Sequence, residues 1–161
     1  MVVREALVAD SVQMCALLNE IIEIGGTTAM EEVMSLSTFH AKYFEGEGSI
    51  SCLVAEKDGV ILGFQKVNKL GCVSNQISDI ATFARACTQI KGVGRVLFEH
   101  TRVVVQQAGF LEINAQIRAD NLPGMAYYAA MGFAPFDMVK AVPLKDGTPV
   151  DRMIKRYDLT C

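Results

Sequence analysis

The chain has 161 residues, 51% of them apolar and 20% charged, with a formal net charge of −3 and a pI near 5.4. That length suits one domain, residues 1–161, with enough buried surface for a core without disulfide staples. The acidic balance argues against nucleic-acid partners, which call for a basic patch, and no apolar run approaches the roughly 18–20 residues of a membrane span.

Val2 to Ala6 suits a short first strand. Asp10 with Gln13 three residues on reads as a capping box, and Met14, Leu17, Leu18, Ile21 and Ile24 follow at helical spacing until Gly25-Gly26. Gly25 to Met30 is a small-residue loop. Leu36, Phe39 and Tyr43 predict a short second helix stopped by Gly46. Ser51 to Glu56 and Val60 to Asn68 read as strands joined by the hairpin turn Asp58-Gly59. Lys69 to Asn75 is a polar loop. Gln76 to Ala84 is a further strand, with Ile77, Asp79, Ala81 and Phe83 on one face and Ile80 and Thr82 on the other. A helix from about Val93 to Ala108 carries the stripe Val93, Leu97, Val104 and Ala108, with Gly109 to end it. Leu111, Ile113, Ala115 and Ile117 alternate as a strand. Asn121-Leu122-Pro123-Gly124 opens a helix that runs through Met131 to Gly132. Phe136 to Val142 and Val150 to Tyr157 are terminal strands around Asp146-Gly147. This order, α/β with hairpins, predicts a mixed sheet covered by helices.

The N-terminus lacks the layout of a signal peptide. Cys15, Cys52, Cys72, Cys87 and Cys161 are odd in number, as suits free thiols in a reducing cytoplasm. No two form Cys-x-x-Cys and no histidine stands at ligand spacing from them, so no metal is expected. The cysteines read as packing residues, with Cys87 worth watching because it precedes the most informative stretch of the chain. His40 and His100 read as structural, and the methionines as core filler.

That stretch is Gln89-Ile90-Lys91-Gly92-Val93-Gly94-Arg95, between a strand and a helix. A helix N-terminus exposes N–H groups with no intrahelical partner. Glycines let an anion approach those donors, and Lys91 and Arg95 add positive charge. The P-loop pattern is absent, and the third glycine of a dinucleotide fingerprint is missing.

Gln89-x-x-Gly92-x-Gly94 resembles motif A of the GCN5-related N-acetyltransferases (GNAT). Asn121 to Phe133, with Tyr128 ahead of Gly132-Phe133, resembles their motif B. The opening Val3-Arg4-Glu5-Ala6 and the Gly26-Thr27-Thr28 loop look most like the phosphinothricin acetyltransferase branch. The resemblance implies a central mixed, mostly antiparallel sheet of about seven strands flanked by about four helices. It also implies acetyl-CoA as cosubstrate, acetyl transfer to a small-molecule amine such as an amino acid or analogue, and a homodimer, since related enzymes are often dimers.

By the same resemblance the pyrophosphate takes the N–H groups of Ile90 through Arg95, and Gln89 belongs to the motif. The pantetheine arm pairs with Thr82, Phe83 and Ala84, and Asn121 bonds the cofactor arm or simply caps its helix. An attacking amine must be neutral, so a general base helps. Asp79 stands where the phosphinothricin-type enzymes carry a glutamate, on an apolar face that would raise its pKa. It is one methylene shorter, which favours action through a water. Tyr128 matches the tyrosine that protonates the departing thiolate. The loops Gly25–Met30 and Lys69–Asn75 are expected to line the acceptor pocket. Gly71 falls where the branch carries a basic residue, which sets strongly acidic acceptors in doubt. Direct transfer in a ternary complex fits because no nucleophile–base pair is visible. Acetylation of a protein Lys or N-terminus, and a CoA-binding sensor without turnover, are the alternatives.

Overall fold

The computed structural model describes residues 1–71, 76–85 and 90–160. Seven strands form one sheet: β1 (Val2–Glu5), β2 (Ser49–Lys57), β3 (Val60–Lys69), β4 (Ile77–Ala84), β5 (Glu112–Arg118), β6 (Ala134–Pro143) and β7 (Pro149–Asp158). Four helices flank it: α1 (Ser11–Ile24), α2 (Leu36–Phe44), α3 (Val93–Gln107) and α4 (Leu122–Ala130). The spatial order is β1-β2-β3-β4-β5-β7-β6, so the last strand slots between β5 and β6. Every pairing is antiparallel except β4 with β5.

The elements follow the hydrophobic periodicity closely. Met14, Leu17, Leu18 and Ile21 of α1 are buried and pack with Phe39, Phe64 and Phe83 on one face of the sheet. Phe98 and Val105 of α3 and Tyr128 of α4 pack with Ile113, Ala115 and Ile117 on the other. Gly25 ends α1 with φ +76° and ψ 170°, a region essentially restricted to glycine, where a side chain costs about 1–3 kcal/mol.

One local expectation is corrected. Asp10 and Gln13 form no capping box. Asp10 accepts from both Arg4 terminal nitrogens at 2.7 and 2.9 Å and from the Leu7 N–H at 2.7 Å. Gln13 instead holds the β2–β3 hairpin, donating to the Gly59 carbonyl and accepting from the Ile61 N–H. A charged, bidentate partner outcompetes a neutral cap. Held at 2.7 Å by Arg4 at one oxygen, Asp10 is kept below the usual carboxylate range by that bond first.

Candidate active site

The ladder between β4 and β5 is short. It pairs Ile77 with Glu112, Ser78 with Ile113 and Asp79 with Asn114. Beyond that row β4 continues to Ala84 and β5 to Arg118, each paired only on its outer edge. The parallel strands therefore part, leaving a gap in the middle of the sheet. Its β4 wall can be assigned from neighbouring bonds. The Ile77 carbonyl accepts from Leu70 on the β3 side, the Gln76 carbonyl accepts from Leu111 on the β5 side, and the Arg85 N–H donates to Leu62 of β3. Alternation then turns the main-chain groups of Ile80, Thr82 and Ala84 into the gap and those of Phe83 toward β3. Of the three residues expected beside the pantetheine arm, Thr82 and Ala84 face the opening with their main chain. Phe83 lines the core with a buried ring.

The start of α3 lies close to the far end of this gap. Gly63 of β3 makes that approach possible, since a Cβ there would lie 2.8 Å from the Phe83 carbonyl and 2.9 Å from Val93 Cγ1. Among the described residues, no acceptor takes the N–H groups of Gly92, Val93, Gly94 or Arg95. These four donors and the open gap fit a cofactor with a diphosphate and an extended arm. Ile90 packs beside them against the cluster of Leu53, Val93 and Leu97, and Lys91 leads into α3 next to it. Gln89 and Cys87 lie outside the described residues, as do Cys72, Cys161 and part of the Lys69–Asn75 loop.

The two glycines do different work. Gly92 has φ +84°, and a Cβ there would meet nothing within 4 Å, so it supplies a left-handed turn and an open face. A Cβ on Gly94 would lie 2.7 Å from Cε2 of Tyr127. Gly94 is bare because a tyrosine ring packs on it. The Tyr127 hydroxyl donates to the Gly94 carbonyl at 2.8 Å and accepts from Gln65 Nε2 at 2.9 Å.

Gln65, fully buried, also donates to Thr82 Oγ1 at 3.0 Å and accepts from Thr101 Oγ1 at 2.7 Å. Tyr128 donates to the same Thr82 Oγ1 at 3.1 Å. The network Thr101–Gln65–Thr82–Tyr128, with Tyr127 as a branch, runs from the core to the gap. Burial pushes the Tyr127 phenol up to about 12. Burial likewise pushes Tyr128 well above the usual phenol range, against the hydrogen bonds from Thr82. Both stay protonated at neutral pH, and Tyr128 can donate.

Asp79 projects from the opposite face of β4. Its Oδ1 accepts from Asn114 Nδ2 at 2.7 Å, and Asn114 Oδ1 accepts from Arg156 Nε at 2.7 Å. Arg156 is itself fixed by Glu112 at 2.6 Å and by the Phe136 ring, 4.1 Å from its Cζ. Oδ2 of Asp79 has no partner among the described residues. Burial raises the Asp79 carboxyl above the usual carboxylate range, against the Asn114 hydrogen bond and the Arg156 charge. The Asp79 charge acts on Tyr128 from across the sheet.

Asn121 caps α4, its Oδ1 accepting from the Gly124 N–H at 2.9 Å, while Nδ2 donates to the Thr27 carbonyl at 2.8 Å. Arg118 Nη1 donates to the Thr28 carbonyl. Glu31 accepts from the Lys145 N–H and Glu32 pairs with the Lys145 ammonium. The segment after α1 is therefore tied to the end of β5, the start of α4 and the β6–β7 turn. His40 stands beside Glu45 and His100 bonds the Val96 carbonyl, so neither joins the site. Cys15 and Cys52 are buried, and burial pushes the Cys52 thiol up to about 11, unlike a nucleophile. Among the described residues no group of His, Cys, Asp and Glu could hold a metal ion, and no helix is long and apolar enough to cross a membrane.

Asn114, Arg156, Gln65 and Tyr127 were not singled out in the sequence. Asn114 carried a signal, being a polar residue on the strand face opposite Ile113 and Ala115.

A family model described as an acetyltransferase (GNAT) domain matches residues 10–154. The chain is similar in structure to an N-acetyltransferase from Staphylococcus aureus Mu50, with a TM-score of 0.89 and 18% identity over 99% of this chain and 98% of that one. It is similar to a ribosomal-protein-alanine N-acetyltransferase from Brucella melitensis, with a TM-score of 0.87 and 21% identity over 98% and 99%. A GNAT superfamily phosphinothricin acetyltransferase from Sinorhizobium meliloti, in complex with acetyl-CoA, matches with a TM-score of 0.83 and 20% identity over 98% and 87%. At these identities the likeness establishes the shared fold.

Proposed function

Because the chain belongs to the acetyltransferase (GNAT) family, we propose that it acetylates the amine of a small molecule, an amino acid or analogue, by direct transfer from acetyl-CoA. The observation that carries this reading is the gap where β4 and β5 part, with Asp79 in the last paired row and Tyr128 bonded to Thr82 on the gap's β4 wall.

Acetyl-CoA supplies the activated acyl group as a thioester. The N–H groups of Gly92 to Arg95 hold its diphosphate, with Lys91 and Arg95 adding charge. The main chain of Thr82 and Ala84 aligns its arm along the gap. Asp79 accepts the amine proton, through a water that reaches the unpartnered Oδ2. Its raised pKa brings it nearer the working pH, where a base removes a proton most effectively. Tyr128, protonated because it is buried, turns its one O–H from Thr82 Oγ1 toward the leaving sulfur. Asn121 serves as the cap of α4 and the anchor of Thr27.

The segment 27–32, tied to Arg118, Asn121 and Lys145 on the side of the sheet that Asp79 shares, supports a small acceptor. A protein substrate would need that face open. The phosphinothricin-type assignment rests on the opening strand, the Thr27-Thr28 loop and the matching position of Asp79. A cytoplasmic location fits the free thiols.

The test is free-thiol release from acetyl-CoA across amino acids, amine antimetabolites and polyamines, with Asp79→Asn alongside. The native protein should release thiol with at least one acceptor, and Asp79→Asn should lose about 10²–10⁴-fold in turnover while binding CoA unchanged. Full turnover in Asp79→Asn would remove Asp79 as the base. Silence across the panel with CoA still bound would favour the sensor or a protein acceptor.

A further inference from the structure

Three arginines lie along the acceptor face of β5 and β7, and two of them are satisfied. Arg156 is held by Asn114, Glu112 and Phe136. Arg118 donates from Nε and Nη2 to the two oxygens of Asp120, at 2.9 and 2.6 Å, and from Nη1 to Thr28. Arg152 is different. It is only 6% exposed, and its Nη1 is buried with no hydrogen-bond partner among the described residues. A buried donor of a charged group left without an acceptor costs more than a neutral one, so Nη1 is a place where a ligand oxygen would be favoured.

The surroundings say what would satisfy it. Arg152 stands opposite Arg118 across β5–β7 and opposite Val139 across β7–β6. Its charge is felt by Asp120, but both oxygens of that carboxylate already accept from Arg118. Arg152 and Arg156 are four residues apart on β7, so they share a face. That face carries Asn114 and, through it, Asp79. The Thr27–Glu32 segment is tied down on the same side by Arg118 and Lys145. A guanidinium offers a planar fork of donors that matches a carboxylate bidentately.

We infer that Arg152 is the binding site for a carboxylate on the acceptor, so that the acceptor is an amino acid and not a simple amine. The inference rests on the small-molecule reading above. Four residues of strand separate Arg152 from the row of Asp79 and Asn114, roughly 13 Å along the sheet. The long Arg152 side chain and a water on Asp79 can cover part of that distance, which favours acceptors whose amine stands several carbons from the carboxylate, as the side-chain amine of lysine or ornithine does, with γ-aminobutyrate the shortest candidate.

The test compares each amino acid with its decarboxylated counterpart: γ-aminobutyrate with propylamine, ornithine with putrescine, lysine with cadaverine. In the native protein the carboxylate-bearing member should show at least a tenfold lower KM. Arg152→Gln should erase that difference by raising the KM of the amino acid, with the KM for acetyl-CoA unchanged, and Arg152→Lys should keep part of it. Absence of discrimination in the native protein overturns the inference whether or not a variant folds. So does tenfold discrimination that survives in Arg152→Gln, or an Arg152→Gln defect that falls on acetyl-CoA with every acceptor. If no member releases thiol, the proposed reaction fails instead. The thermal shift of the CoA-loaded protein by γ-aminobutyrate, set against propylamine, then still decides whether Arg152 binds a carboxylate.

Discussion

Gly94→Ala isolates what the second glycine of the cradle is for. Gly94 has ordinary helical backbone, so alanine is conformationally acceptable there and gains up to about 1 kcal/mol in helix propensity. The added methyl would lie 2.7 Å from Cε2 and 3.2 Å from Cζ of Tyr127. The ring cannot stay, and overpacking of this kind costs about 1–3 kcal/mol. Its displacement also strains the hydroxyl's bonds to the Gly94 carbonyl and Gln65, and an unsatisfied buried hydroxyl adds about 1–3 kcal/mol. The net expectation is a loss of roughly 1–5 kcal/mol, centred near 3. In a Tyr127→Leu background the methyl meets no ring, and Gly94→Ala becomes neutral or mildly stabilising. Urea unfolding of the four proteins measures the coupling, which should be about 2–5 kcal/mol, well beyond the ~0.5 kcal/mol error of additivity. Equal cost of Gly94→Ala in both backgrounds would refute the packing explanation. Gly92→Ala serves as the contrast. Its cost of about 1–2 kcal/mol comes from the left-handed backbone and should be the same with or without Tyr127.

Three further outcomes follow from the same geometry. Asp79 must be ionised to act as a base, and its folded pKa is raised by burial, so turnover should fall as pH drops through a value above the usual carboxylate range. Asn114→Ala removes a bond that favours the carboxylate and should move that acid limb to higher pH; a limb that stays put would exclude the contact from the tuning of Asp79. Tyr128→Phe should lower kcat by about 10²-fold or more, as for loss of a general acid, with the KM for acetyl-CoA little changed; native kcat in that variant would show that the phenol only packs. Asp10 behaves oppositely to Asp79. Its folded pKa is lowered by Arg4, so the stability it contributes is present above its unfolded pKa of about 3.9 and is lost as pH falls through the folded value. Asp10→Asn should cost about 1–3 kcal/mol at neutral pH, the range of charged hydrogen bonds, and nothing in strong acid, as read by denaturant melts across pH.

The sequence makes one side of the site legible and hides the other. Alternation in Gln76–Ala84 places Asp79 with Phe83 on an apolar face, and that is where it lies. The glycine pair between a strand and a helix marks orphan amides, and those amides lack protein acceptors among the described residues. These are local signals, read within a few residues. The contacts that tune them are not local. Asn114 meets Asp79 from 35 residues away and Arg156 meets Asn114 from 42. Tyr127 reaches Gly94 across 33, so the sequence offers phosphate approach as the reason for that glycine when the ring is the stronger one. The insertion of β7 between β5 and β6 is likewise invisible, although it is what puts Arg152 and Arg156 on the acceptor face. Asp10 shows the same limit at short range, because the Arg4 guanidinium binds it more strongly than an empty helix end does.

The row where the β4–β5 ladder ends also explains how an aspartate can stand where longer carboxylates are expected. Asp79 is paired with Asn68 on one side and Asn114 on the other, so its Cα is fixed by both neighbouring strands. One residue further on, that support exists on the β3 side alone. The proposed base is thus rigid at its root and open just ahead, and Asn114, in the same row, pins one of its oxygens. A longer side chain would span the opening itself but would also sample more rotamers, each ordered at a cost in entropy. A short carboxylate with one oxygen anchored loses little on ordering, and in the proposed mechanism it works through a bridging water. Lengthening it by Asp79→Glu therefore need not help: the added methylene must either break the 2.7 Å bond to Asn114 or displace that water. Activity below the native level in Asp79→Glu, with CoA affinity intact, is the expected result. Activity above it would mean that the short base is a defect and not a fitted part of the site.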